Sequence, residues 1–89
     1  MQQGSRYRGP ATIAQGDRRA EVDCSYEVVQ MDNIRAWRGE FAEASPAEEP
    51  EPGEAELRLG GGKVGQIIVS QVFSGTGHGW FEGTGQPPG

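Results

Sequence analysis

The sequence predicts an all-β fold: two pseudo-symmetric three-stranded meanders closed as a small six-stranded barrel or a collapsed sandwich. Three observations carry this. The chain repeats at a spacing of 44, with Gly9-Pro10-Ala11-Thr12-Ile13 falling on Gly53-Glu54-Ala55-Glu56-Leu57. Without a gap, Gly16 then falls on Gly60, Val28 on Val72, Trp37 on Phe81 and Gly39 on Gly83. A repeat unit with its turn and core positions in step indicates a duplicated β-structure. Between Arg19 and Val28, Ala20, Val22, Cys24, Tyr26 and Val28 alternate with polar residues, the period of two that a half-buried strand needs. Nowhere do apolar residues recur at helical spacing over a useful length.

Taken in order, residues 1–8 are expected to be a flexible leader, with Tyr7 packing on the first strand. Ala11–Ala14 is a short strand with Ala11 and Ile13 on one face. Gln15-Gly16-Asp17-Arg18 supplies the turn, because glycine tolerates a positive φ and aspartate bonds its own backbone. The alternating run follows, then a turn at Met31-Asp32-Asn33. Ile34–Phe41 returns as the third strand, with Trp37 and Phe41 on one side. Gly39 between them marks a bulge or a close-packed neighbour. The first copy is expected to span 9–41.

Residues 42–52 form an acidic, proline-rich joint between the copies. Prolines deny it a helix or a central strand, and glutamates keep it solvated. The second copy, 53–85, repeats the plan: a strand at 55–59, a Gly60-Gly61-Gly62 turn, a strand at 63–73, a turn at 74–77 and a strand at 78–84. Its middle strand is apolar on both faces, with Ile67, Val69 and Phe73 opposite Val64, Ile68 and Val72. Either both faces are covered, or a bulge near Gly65 shifts the register. The tail from Gly85 is expected to be disordered. All of 9–89 forms one domain.

Composition bounds the function classes. The chain has 89 residues, enough for one domain with a thin core. Its single cysteine excludes an internal disulfide and favours a reducing, cytoplasmic setting. No apolar run follows the basic residues near the start, which argues against a signal peptide. Ile67-Ile68-Val69 is too short to cross a bilayer, so no membrane role is expected. The net charge is −5, and residues 39–89 hold two basic residues against eight acidic ones. That balance argues against nucleic acid and favours a basic partner.

The stretches at 9–13, 20–28, Trp37-Arg38-Gly39, 53–57 and Phe81-Glu82-Gly83-Thr84-Gly85 resemble a small actinobacterial β-domain family of unknown function. Members occur alone or appended to flavin-dependent monooxygenase-like proteins. The resemblance implies the two-copy strand pattern and, through those fusions, an oxidoreductase as one kind of partner. It implies no catalytic residue.

Few residues could carry chemistry. Gly60-Gly61-Gly62-Lys63 lacks the phosphate-loop spacing and precedes a strand, so it reads as a hairpin turn. Arg19 and Lys63 are one repeat apart, with Arg18 adjacent. As equivalent basic turns they either hold an acidic ligand or are solvated charge that blunts strand edges. Cys24 and His78 are the one available thiol and imidazole, but Cys24 lies on the apolar face and His78 lacks an orienting carboxylate at useful spacing. One histidine and one cysteine make no zinc set. Trp37 and Phe81 are repeat partners and belong to the core. Trp80 points the other way, beside His78, and either caps the barrel end or anchors a partner.

The expected function is that of a non-enzymatic interaction or accessory module without a cofactor, partnering another protein or another copy of itself. The alternative is a carrier holding a small apolar or anionic ligand in the barrel mouth. Arg18, Arg19, Lys63, His78 and Trp80 are the candidate binding residues.

Overall fold

The alternating run forms β2 (Arg18–Met31), with Ala20, Val22, Cys24, Tyr26 and Val28 on its buried face. In the computed structural model, which describes residues 4–31 and 34–88, β2 pairs with β1 (Gly4–Gln15) and β3 (Ile34–Ala42). The second half repeats this meander as β4 (Gly53–Leu59), β5 (Val64–Phe73) and β6 (His78–Gly83). All pairings are antiparallel, and the sheet closes as a barrel in the order β1-β2-β3-β6-β5-β4. Of the two arrangements expected, the barrel is the one formed.

Both seams between the halves fall on the repeat. β1 meets β4 with Ile13 opposite Leu57. β3 meets β6 with Arg38 opposite Glu82. In each pair a residue faces its own counterpart 44 positions on. A pseudo-twofold axis therefore runs through both seams and exchanges the halves. Ile13 and Leu57 are 1% and 0% exposed, so each half hides its apolar face by closing on the other.

The gap-free repeat fails at the middle strands. Between the seams the register climbs seven residues along β2, from Ala20 to Glu27, but three along β5, from Gly65 to Ile68. The barrel closes with a total stagger of ten. Val69, not Val72, stands opposite Phe81 as Val28 stands opposite Trp37.

This asymmetry corrects the reading of β5 as apolar on two covered faces. Gly65, Ile67 and Val69 point inward, whereas Val64 and Ile68 remain 44% and 43% exposed. A bulge does occur, but at Ser70 rather than near Gly65. Gly65 itself pairs regularly with Leu57, and its missing side chain makes room for the rings of Trp37 and Pro88.

Three further expectations are corrected. Residues 4–8 are not a leader: they belong to β1 and pair with β2, from Gly4 opposite Val29 to Arg8 opposite Ser25. The first copy therefore reaches back to Gly4 and forward to Ala42. Tyr7 stacks on Tyr26 with ring centroids 5.4 Å apart, and its hydroxyl donates to the Pro10 carbonyl at 2.8 Å. Asp32 and Asn33, in the expected second turn, lie outside the described residues.

The joint is bound to the barrel rather than merely solvated. It makes a 3-10 turn at Pro46–Glu48 and buries Ala44 and Pro50. The Glu49 carboxylate accepts from the Gly75 amide at 3.0 Å and the Gly77 amide at 3.1 Å. Gln15 exchanges two hydrogen bonds with the Glu51 backbone, at 2.7 and 3.0 Å. The joint thus spans from the β1–β2 turn to the β5–β6 turn. Its Glu49 satisfies turn amides, a role that composition alone does not reveal.

The tail is ordered over Gly85–Pro88. Trp37 donates through Nε1 to the Gly85 carbonyl at 2.9 Å, and the Tyr26 hydroxyl donates to the Pro88 carbonyl at 3.4 Å. Pro88 is buried, and so is Ala44, 44 positions earlier. Joint and tail therefore cover opposite ends of the barrel at equivalent places. Between them, Ile13, Phe41, Leu57, Ile67, Val69 and Phe81 fill the interior at no more than 1% exposure each.

Candidate functional site

The bulge in β5 creates the most distinctive surface of the molecule. Up to Val69, odd-numbered residues face the interior. Ser70 is then the extra residue, and its hydroxyl donates to the Trp80 carbonyl at 3.2 Å. Beyond it the faces exchange, as a bulge requires. Val72 packs on the core, while Phe73 joins His78 and Trp80 on the outer wall. The Phe73 ring stacks on His78 at 5.5 Å and 14°, and meets Trp80 edge-on at 5.5 Å and 83°. Trp80 is still 46% exposed.

This cluster borders a groove of about 490 Å³ that crosses β2, β3 and β6 on the outside of the barrel. One wall alternates in sign across four paired strands: Arg6, Glu27, Arg38 and Glu82. The other carries Glu40 and Trp80, which face each other across the β3–β6 pair. Gly39 lies between the two walls. Arg6 lies 3.8 Å from Glu27, and His78 Nε2 lies 3.9 Å from Glu40.

The two halves also differ here. The position equivalent to Trp80 is Ala36, and that of Glu82 is Arg38. The aromatic cluster therefore belongs to the second half alone, and the barrel symmetry does not demand it. Where a duplicated fold breaks its own repeat with an exposed tryptophan, the residue serves the surface rather than the core.

The structure brings His78 and Trp80 together but separates the basic candidates. Because β1 and β4 are antiparallel neighbours, the Arg18–Arg19 turn and Lys63 sit at opposite ends of the barrel. They cannot form one anion site. Arg18 instead pairs with the Glu51 carboxylate and donates to the Glu49 carbonyl at 2.9 Å. The Glu56 carboxylate is held below its usual range, first by the Arg58 hydrogen bond, with Arg19 contributing through its charge. Trp80 does not cap an end of the barrel. The joint and the tail occupy those places, and Trp80 stands on the side wall.

Cys24 and His78 make no catalytic pair. Cys24 is 0% exposed inside β2, whereas His78 sits two strands away on the outer face. Burial, reinforced by the Asp23 charge, pushes the Cys24 thiol up to about 12. At pH 8 it then carries on the order of a thousandfold less thiolate than an unshifted thiol. Native protein mixed with a thiol reagent at pH 8 is expected to label only as fast as the barrel opens, and at once in denaturant. Rapid stoichiometric labelling of folded protein would contradict the burial. Among the described residues, no group of three or more His, Cys, Asp or Glu is placed to hold a metal ion, and no helix is long and apolar enough to cross a membrane.

Residue-by-residue reading of the sequence missed Phe73, Glu40 and Ser70 as members of this surface. The available signal was the run of apolar residues on both faces of β5, which required either a second cover or a face exchange. Comparison with protein-family models, curated proteins and solved structures finds no match to this chain.

Proposed function

We propose that the protein is a non-catalytic interaction module that docks a protein partner on the groove beside Trp80. The observation that carries this reading is the exposed indole, held edge-on by Phe73 and flanked by Glu40 in an open groove. Tryptophan combines a large apolar area with few rotatable bonds, which suits a docking anchor. The interior is filled by its own side chains, so the outer wall is where a partner has room. A cytoplasmic setting, favoured by the single cysteine, and an oxidoreductase partner, as the family resemblance implies, fit this role.

The test is affinity capture from the source cell extract, with wild-type and Trp80→Ala baits compared by quantitative mass spectrometry. Trp80 is exposed, so the substitution is expected to change stability by no more than about 0.5 kcal/mol. The expected result is one or a few proteins lost with Trp80→Ala and kept with Lys63→Ala. Equal capture by Trp80→Ala and wild type would overturn the reading.

A further inference from the structure

We propose that the Trp80 face receives an arginine side chain from an extended segment of the partner, with the guanidinium laid on the indole and forked to Glu40. The proposal rests on the docking reading above and supplies its chemistry. Trp80 and Glu40 are direct cross-strand neighbours on the outer face. A flat cation resting on the indole therefore lies within reach of the carboxylate. The Trp80 ring is steadied by the edge contact with Phe73, and its carbonyl is held by Ser70.

The charges around the groove decide which occupant fits. Arg6 is engaged by Glu27 at 3.8 Å. Arg38 stands between Glu27 and Glu82 on the neighbouring strands. Glu40 has no arginine or lysine beside it: among the described residues, the only basic side chain within 4.0 Å of it is the His78 imidazole. An acidic segment would meet Glu40 and Glu82 together. An uncharged one would leave the Glu40 carboxylate without a counter-charge. The net charge of −5 also draws a basic partner in.

Arginine suits the place better than lysine. Its planar guanidinium stacks on an aromatic face while its edge donates in parallel to a carboxylate, and it sheds water more readily than an ammonium. Placed on Trp80, it would use both surfaces at once.

The test is an NMR titration of the isotope-labelled full chain with three blocked hexapeptides that differ at one residue: arginine, citrulline or glutamate. Binding is read from the Trp80 indole N–H and the Glu40 and Glu82 amides. The arginine peptide is expected to shift these signals in a saturable way, and citrulline to bind at least about tenfold more weakly. Trp80→Ala and Glu40→Gln are each expected to weaken the arginine peptide by about five- to tenfold, and Trp80→Phe by less. Unchanged amide spectra elsewhere confirm that each variant is folded.

Equal binding of arginine and citrulline overturns the proposal. So do shifts confined to residues 48–54, or shifts that appear on concentrating the protein without peptide, which would make a second copy the occupant. The two readings fail differently. If the partner is lost with Trp80→Ala but the peptides are not told apart, docking stands and the arginine assignment falls. If partner capture survives Trp80→Ala, the docking reading itself falls.

Discussion

Gly83→Ala is expected to lower stability by about 3 kcal/mol, the upper part of the usual range for overpacking a core. A Cβ at this position would fall within the indole ring of Trp37. That ring cannot withdraw freely, because it also meets Tyr26 at 5.2 Å and Phe81 at 6.1 Å. The repeat-equivalent Gly39→Ala is expected to cost about as much for a different reason, since its Cβ would meet the Ser25 carbonyl and the Tyr26 backbone. Backbone in a closed ladder yields less than a side chain does. For a chain of this size the loss corresponds to a melting point lower by about 15 °C. Gly60→Ala is the control, because no atom lies within 4 Å of its Cβ and its φ is not positive. Thermal melts followed by circular dichroism read all three. A Gly83→Ala protein that melts with wild type would mean that Trp37 does not lie over β6.

Trp37→Ala is the second large effect, expected at 3–5 kcal/mol, as for other buried aromatic residues cut to alanine (roughly that range). The indole fills the interior from β3, makes room for itself over Gly83 and Gly65, and fixes the tail through Gly85. Its removal leaves a cavity and frees the segment that covers that end of the barrel. Trp37→Phe keeps much of the volume but loses the hydrogen bond, so a smaller loss of about 1–2 kcal/mol is expected. Urea titration measures both, and limited proteolysis after Thr84 reports the released tail. Trp80→Ala, a substitution of the same residue type on the outer wall, is expected to leave the midpoint almost unmoved. Equal losses at Trp37 and Trp80 would contradict the placement of Trp37 inside the barrel and Trp80 outside it.

Much of the fold is legible in the sequence because two periodicities coincide. Alternation with a period of two fixes which residues of β2 face inward, and the 44-residue repeat fixes which strands are equivalent. Together they require two open meanders, and closure is the arrangement that hides Ile13 and Leu57. The seams follow the repeat because a pseudo-twofold must place the residue on its axis in each seam, Ile13 in one and Arg38 in the other, opposite its own copy.

What the sequence conceals is the stagger. A gap-free alignment cannot show that the register climbs seven residues along β2 and three along β5, because the stagger is shared around the whole barrel. Nor does it show the bulge at Ser70, which exchanges the faces beyond it, so that Val72 packs on the core and Phe73 on the outer wall. The joint and tail are concealed for another reason. Glu49, Glu51 and Pro88 have the composition of solvated linkers, and only the closed barrel brings the Gly75 and Gly77 amides, Gln15 and Tyr26 to meet them. The functional surface is half legible. Trp80 and His78 stand out as unexplained residues, while Glu40 enters through pairing between β3 and β6.

The central claim is that neither half can hide its apolar face alone and that each closes on the other. The most direct measurement cuts the chain in the joint between Ala47 and Glu48 and examines residues 1–47 and 48–89 apart and mixed. Neither piece is expected to melt cooperatively alone. Mixed in equal amounts, they regain β-structure, with protected amides at Ile13, Leu57, Arg38 and Glu82 along the two seams. A piece that folds by itself, or a mixture that folds without protection at those four residues, would contradict it.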